Sequence, residues 1–306
     1  MPSAMNTSAQ QSTATDWNKP TVRFLRLGEP GHERPAALIP GSQTAYDIST
    51  VTDDINGEFL RTWHSKRDII NSGIFPVLDF SEIRIGPPIA RPQAVYGIGL
   101  NYADHAAEAK LELSAEPVVF SKTPNSLCGP HDDVVFPLGS EKGDWEVELG
   151  VVIGAPAYQL SSVSDAADVI AGYVAANDVS ERAWQLEHGS QIMKGKTFPT
   201  ANPVGPFLVT ADEVPDPTAI SLNLWVNGVE RQHGTTANLI FPVEHIVWYI
   251  SQFAQLEPGD LINTGTPAGV GIGRTPPVFL RDGDVIELSV GELGTHRNRV
   301  VIPKAA

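Results

Sequence analysis

Residues 144–153 read Asp144-Trp145-Glu146-Val147-Glu148-Leu149-Gly150-Val151-Val152-Ile153. Successive side chains of an extended strand point to opposite faces, so Trp145, Val147 and Leu149 share one face and Glu146 and Glu148 the other. An isolated Glu-x-Glu is ordinarily the wetted side of an antiparallel strand. Here the pair runs into Gly150-Val151-Val152-Ile153, an unbroken apolar run of the kind buried on both sides. Two carboxylates bordering such a strand repel each other, so either one is protonated or a cation sits between them. An all-oxygen ligand set suits Mg2+, Mn2+ or Ca2+ better than zinc or copper.

Outward from this strand lie many short apolar runs, among them VIAGYVAAND, ISLNLWV, LIN and VIELSV, each bounded by Gly, Pro, Asn or Asp. Their spacing predicts a mostly β, α+β fold of sandwich or barrel type. The composition agrees, since 27 glycines and 25 prolines in 306 residues exceed the usual combined share of about 12%. Asn227-Gly228, between LWV and VER, is a two-residue hairpin signal because both positions tolerate positive φ. One long helix is expected from about Pro242 to Gln255, with Val243, Ile246, Val247, Ile250, Phe253 and Ala254 on its apolar face. A shorter helical region is expected from Asp53 to about Asn71.

The stretch Gly86 to Gln93 holds three prolines in eight residues and is the best linker candidate. It divides a small N-terminal α+β domain, residues 20–90, from a larger domain, residues 91–306. Residues 1–19 are Ser, Thr, Ala, Gln and Asn with little apolar content, and are expected to form a disordered tail. They lack the basic start and apolar stretch of a secretory signal. The net charge of -15 excludes a nucleic-acid footprint and disfavours an anionic membrane surface. No run reaches the roughly 18 to 20 apolar residues that a spanning helix needs. A single cysteine, Cys128, leaves no intramolecular disulfide and no thiolate metal site, which fits a reducing cytoplasm; it reads as a small core hydrophobe.

Other polar residues each have two readings. Asp178 ends the run VIAGYVAAND, where it serves either as a third metal ligand or as a cap for the helical turn that Ser180 and Glu181 begin, and capping is the commoner role. His105 and Glu108 are three apart on one helical face; they form either a general base oriented by a carboxylate or an exposed pair worth about 0.2–0.5 kcal/mol. Spacing alone favours the exposed pair. Lys194 and Lys196, in Lys194-Gly195-Lys196, are either soluble charges or a source of one oxyanion donor. His188, His233 and His245 are scattered. The cluster TPAGVGIG lacks the Lys-Ser/Thr of a phosphate loop.

In order, GIGLNYADHAAEA (97–109), DWEVELGVVIG (144–154), AGYVAANDVSERAWQ (171–185), KGKTF (194–198) and LEPGDLINTGTPAGVG (256–271) together resemble the fumarylacetoacetate hydrolase family. The branch resembled carries two labels, ureidoglycolate lyase and diketo-deoxy-sugar-acid hydrolase. The resemblance implies a mixed β-roll catalytic domain behind a smaller N-terminal domain, a homodimer, and bound Mg2+ or Mn2+. It places Glu146, Glu148 and Asp178 at the metal-ligand positions. His105 and Glu108 fall at a catalytic dyad on a lid, and Lys196 at the active-site lysine. Gln185 and Thr266 fall at residues that hold substrate oxygens. The implied reaction is hydrolysis of a C–C bond in a 2,4-dioxo acid, a small-molecule 2-oxo acid substrate, to pyruvate and a carboxylic acid. Oxaloacetate decarboxylation, 2-oxo acid isomerisation, ureidoglycolate cleavage and a catalytically silent metal-binding homologue are the alternatives. The sequence departs from the family at Thr197-Phe198-Pro199-Thr200, where many relatives read Ser-Phe-Asp-Thr, and at 235–241, TTANLIF in place of a more usual Thr-Ser-Asp-Met-Ile-Phe.

Overall fold

In the computed structural model, which describes residues 22–39, 44–104, 114–189, 191–214 and 216–304, the apolar run beginning at Val147 is the buried strand Val147–Ile153. It lies inside a ten-stranded sheet, antiparallel to Ile170–Asn177 on one side and to Leu261–Asn263 on the other. Beyond Leu261–Asn263 come Val95–Gly99, which pairs parallel to it, and then Val118–Lys122 at the edge. In the other direction Ile170–Asn177 leads through Leu208–Thr210 to Arg23–Leu27, Arg34–Leu38, Ala45–Asp47 and Val77–Leu78. The strands before residue 79 therefore extend the sheet that carries residues 147–153.

Period-two alternation explains both faces of the central strand. Val147, Leu149, Val151 and Ile153 join the larger core. That core is closed by a second, five-stranded sheet, whose strands Ser221–Val226, Val285–Val290 and Thr295–Val301 alternate buried and exposed residues, and by the helix Val243–Ser251. Val152 faces the opposite way, into a core built with Phe24, Phe59, Leu60 and Trp63. There Phe24 meets Phe59 and Trp63 edge-on at 5.0 and 5.4 Å, an arrangement worth about 0.5–1.5 kcal/mol per pair beyond the area buried. The sheet is thus covered on both faces, as an unbroken apolar strand requires.

The mostly β expectation holds, and the turn chemistry holds in detail. Asn227 and Gly228 adopt φ of 53° and 74° and join Ser221–Val226 to Val229–Thr235. The expected region 53–71 is helical in pieces: Gly57–Thr62, a 3-10 turn Trp63–Lys66, and Arg67–Asn71. It starts at Asn56, whose side chain accepts from Phe59 N at 3.0 Å. The long helix is shorter than its apolar pattern. Its regular part ends at Ser251, and Phe253, assigned to the buried face, is 57% exposed because the chain has by then turned away. Residues 86–93 have no regular structure, as three prolines dictate, yet Pro87 to Ala90 are buried, with Ile89 in the core shared by the N-terminal strands and the central strand. The expected tail, residues 1–19, and the pair His105 and Glu108 lie outside the described residues. No helix among the described residues is long and apolar enough to cross a membrane.

His296, on the strand Thr295–Val301, is buried and donates from Nε2 to the Gly205 carbonyl at 2.8 Å. Burial, aided by nearby His131, lowers its pKa to about 4 from 6.5. The unfolded chain therefore binds a proton that the folded chain refuses between about pH 6.5 and 4, so stability falls as pH drops through this window. The full effect is about 3 kcal/mol. Denaturant unfolding of wild type and His296→Gln across this range should show a slope shallower by up to about 1.4 kcal/mol per pH unit in the variant. Equal slopes would mean that His296 is not the group responsible.

Candidate active site

Glu146 sits just before the central strand, and Glu148 is its second residue. Asp178 follows Asn177 at the end of the neighbouring strand. The register pairs Val147 with Asn177, and the crossing is locked because Asp178 N donates to Glu146 O at 2.9 Å and Glu146 N to Asn177 Oδ1 at 3.0 Å. The pairing brings carboxylate oxygens of Glu146, Glu148 and Asp178 within 4.8 Å of one another, all three residues buried. The capping role for Asp178 is not what the chain uses. The short helix Arg182–Leu186 is capped by Glu181, whose side chain accepts from Trp184 N at 2.8 Å.

Buried carboxylates need compensation. Lys196 supplies part of it, its Nζ 2.6 Å from Glu146 Oε2 and 2.7 Å from Asp178 Oδ2, with the Asp178 carbonyl at 3.4 Å. Burial alone would depress this ammonium, but Asp178 and Glu146 outweigh it and hold its pKa above the ordinary lysine value. Gly195 makes the placement possible. A Cβ there would fall against the Glu181 carbonyl and the Gln185 side chain, which is why Lys-Gly-Lys packs tightly on the helix Arg182–Leu186.

Three charged partners were not singled out from the sequence. Lys122, at the end of the edge strand Val118–Lys122, pairs with Asp178 Oδ1 and donates to the Ala201 carbonyl at 3.0 Å. Arg182 reaches Asp144 Oδ2 through Nε at 2.8 Å, Glu146 Oε1 through Nη2 at 2.7 Å, and Gln185 Oε1 through Nη1 at 2.8 Å. Asp144 also accepts from the amides of Trp145, Gly271 and Ile272 at 2.8, 2.6 and 3.0 Å. The signal available was the demand of buried acids for cations, with Arg182 in the matched stretch and Lys122 closing an apolar strand.

Glu148 differs from its neighbours. It accepts from Gly265 N at 2.7 Å, and among the described residues no lysine or arginine pairs with it. Burial first, then Asp178 and Glu146, push its pKa well above the usual carboxylate range. Among the described residues, four acids, Asp144, Glu146, Glu148 and Asp178, thus face three cations, Lys122, Arg182 and Lys196. The formal excess of one negative charge falls to Glu148, the carboxylate without a cation partner, whose ionisation burial, Asp178 and Glu146 disfavour unless a cation is bound. Such a hard, all-oxygen, electron-rich set fits a divalent cation of the Mg2+, Mn2+ or Ca2+ type, which would be held by Glu146, Glu148 and Asp178.

Glu146, Glu148, Lys196, Arg182, Gln185 and Thr266 line one cavity of about 500 Å³. Its wall is otherwise largely apolar, from Ile98, Val118, Phe120, Ile192, Val270 and Ile272. Gln185 lines the cavity with its Oε1 held by Arg182, which keeps the Nε2 protons out of that bond. Thr266 donates its hydroxyl proton to the Val147 carbonyl at 2.9 Å and accepts from Gln232 Nε2 at 2.7 Å, so that donor is already engaged. The glycine-rich loop is used for close approach. Gly269 (φ +109°) lies against the Arg231 carbonyl and Gly271 against that of Val278, where no Cβ would fit. The structure thus brings six of the eight expected residues together; His105 and Glu108 are the two outside the described chain.

The sequence profile described as fumarylacetoacetate hydrolase, C-terminal, matches residues 94–301. The chain belongs to the fumarylacetoacetate hydrolase family. A relative from Burkholderia multivorans, named as a hydrolase without a stated substrate, is 46% identical over 275 residues, 89% of this chain and 96% of its own. Among solved structures, a probable 2-hydroxyhepta-2,4-diene-1,7-dioate isomerase from Mycobacterium abscessus superposes with a TM-score of 0.77 at 32% identity, covering 93% of this chain and 99% of that one. Maleylpyruvate hydrolase from Sphingobium sp. SYK-6, in complex with manganese(II) ion and pyruvate, superposes with a TM-score of 0.76 at 27% identity, covering 92% and 99%. The family has therefore been built, on closely similar backbones, into proteins named for hydrolysis and for isomerisation.

Proposed function

We propose that this chain is a metal-dependent hydrolase that cleaves the bond between carbons 3 and 4 of a 2,4-dioxo acid, an acylpyruvate, giving pyruvate and a carboxylic acid. The observation that carries this reading is the buried set Glu146, Glu148 and Asp178, two of whose members line an otherwise mainly apolar cavity. The manganese and pyruvate in the Sphingobium relative support it. So does the local charge: a divalent cation would turn the excess of one negative charge into one positive, which favours an anionic substrate.

When bound, Mg2+, Mn2+ or Ca2+ would act as a Lewis acid toward the 1-carboxylate and 2-oxo oxygens of the substrate and offset the charge of the departing enolate. The chain supplies the remaining steps. His105, oriented by Glu108, takes a proton from water, and the water oxygen forms a bond to carbon 4. Lys196 and Gln185 Nε2 donate to the oxyanion that develops there. The ammonium can do so by giving up its longest contact, the 3.4 Å bond to the Asp178 carbonyl, while both carboxylate contacts persist. The bond between carbons 3 and 4 then breaks, its electron pair passes to carbon 3, and the proton held by His105 completes pyruvate. Thr266 bounds the substrate from the cavity wall. The enzyme acts in the cytoplasm as a homodimer on a free small-molecule acid, a reading that rests on the single cysteine for the compartment and on the family resemblance for the dimer and the substrate.

The dyad is tested by substitution. His105→Ala and Glu108→Ala should each lower kcat for an acylpyruvate, His105→Ala by about 10²–10⁴-fold, with the metal-induced rise in melting temperature retained. Unchanged turnover would refute the assigned base. The Mycobacterium relative favours isomerisation of a 2-oxo acid at the same residues as a second reading, and conversion of substrate without pyruvate release would select it.

A further inference from the structure

Among the described residues three cations line the cavity, and acids of the buried cluster occupy two of them. Lys196 spans Glu146 and Asp178, and Arg182 spans Asp144 and Glu146. The third is Arg274, which has no carboxylate partner among the described residues. Its Nη2 donates to the carbonyls of Arg231 at 2.9 Å and Gly269 at 3.3 Å, and its buried Nε has no partner. Carbonyl contacts orient a guanidinium without neutralising it, and a guanidinium carries five N–H donors in a fixed fork.

The loop that presents Arg274 is itself held. Gly269 and Gly271 allow its backbone to lie directly against the carbonyls of Arg231 and Val278. Trp145 Nε1 donates to the Gly269 carbonyl at 3.2 Å, and Asp144 accepts from the amides of Gly271 and Ile272. Asp144 is also the partner of Arg182, which orients Glu146. One buried carboxylate therefore ties the acid cluster to the loop bearing Arg274, so the two charged regions of the cavity are held in a fixed relation.

We propose that Arg274 is a second anion-binding point of this cavity. It takes a carboxylate at the far end of a 2-oxo acid whose 1-carboxylate and 2-oxo oxygens would face the divalent cation that Glu146, Glu148 and Asp178 would hold. This rests on the reading of the cavity as a 2-oxo acid site, and it narrows the substrate class to dianionic acids in preference to acids with a neutral acyl end. A charge-assisted contact of this kind favours the dianion about 10- to 100-fold.

The test is calorimetric titration of the full chain with Mg2+ present, using 2-oxoglutarate and 2-oxopentanoate, which match in length and differ in the terminal carboxylate. Wild type should bind 2-oxoglutarate about 10- to 100-fold more tightly. In Arg274→Gln the ratio should fall to within about threefold of one, and Arg274→Lys should give an intermediate ratio. A purely structural role in holding the loop would weaken both acids together and leave the ratio intact. That result, a wild-type ratio near one, or failure of both acids to bind would overturn the proposal. Pyruvate release from 2,4-dioxo acids is measured separately, so loss of the hydrolase reading with the binding ratio intact is distinguishable from loss of the subsite.

Discussion

Glu148→Gln should abolish the rise in melting temperature expected of the wild-type protein with Mg2+ or Mn2+, without destabilising the metal-free chain. Gln is isosteric and keeps an oxygen for the Gly265 amide, which donates to Glu148 Oε2 at 2.7 Å. It replaces a carboxyl that burial, Asp178 and Glu146 already push toward its protonated form with a permanently neutral group. The metal-free variant should therefore match or exceed wild type in stability, because no charge can develop there beside Asp178 and Glu146. Saturating metal at about 100 times Kd stabilises a one-site protein by about 2.7 kcal/mol, a shift of several degrees. Thermal scans with and without metal separate the two effects. A full metal-induced shift in Glu148→Gln would remove Glu148 from the ligand set.

Asp144→Ala should be among the most destabilising single changes, although Asp144 is not a proposed ligand. Its two oxygens accept four hydrogen bonds, three from backbone amides and one from Arg182. Removing it leaves Arg182 buried with Glu146 as its remaining carboxylate and strands the amides of Gly271 and Ile272. Breaking one side of a buried pair costs about 3–5 kcal/mol, which for a chain of this size lowers Tm by roughly 10 °C. The partly exposed pair of Lys142 with Glu187 is the control, and Lys142→Ala should cost under about 1 kcal/mol. A loss below about 1 kcal/mol in Asp144→Ala would show that the acid cluster and the glycine-rich loop are not coupled through this residue.

Local chemistry made much of this architecture legible in the sequence. Alternation marked the faces of Val147–Ile153, and Asn227-Gly228 marked its hairpin, because both signals depend on neighbours in the chain. Asp178 was ambiguous because a cap and a ligand demand the same residue type at a strand end. The decision came from Glu181, three residues later, which took the capping role. Lys122 and Arg182 escaped notice because their partners are 56 and 36 to 38 residues away, a relation that only strand pairing creates. Thr266 was recognisable by position, but the engagement of its hydroxyl proton with Val147, 119 residues distant, was not. The three prolines of residues 86–93 correctly forbade regular structure, while burial of that segment depends on Ile89 finding the core around Trp63.

The most direct measurement is pyruvate formation by the purified 306-residue chain, supplied with Mg2+ or Mn2+ and a panel of 2,4-dioxo acids. Enol absorbance is followed in parallel, with a chelator control. Pyruvate released with metal and suppressed by the chelator is the expected result. Absence of pyruvate from every acid, with metal bound, would contradict the assignment of this chain as an acylpyruvate hydrolase.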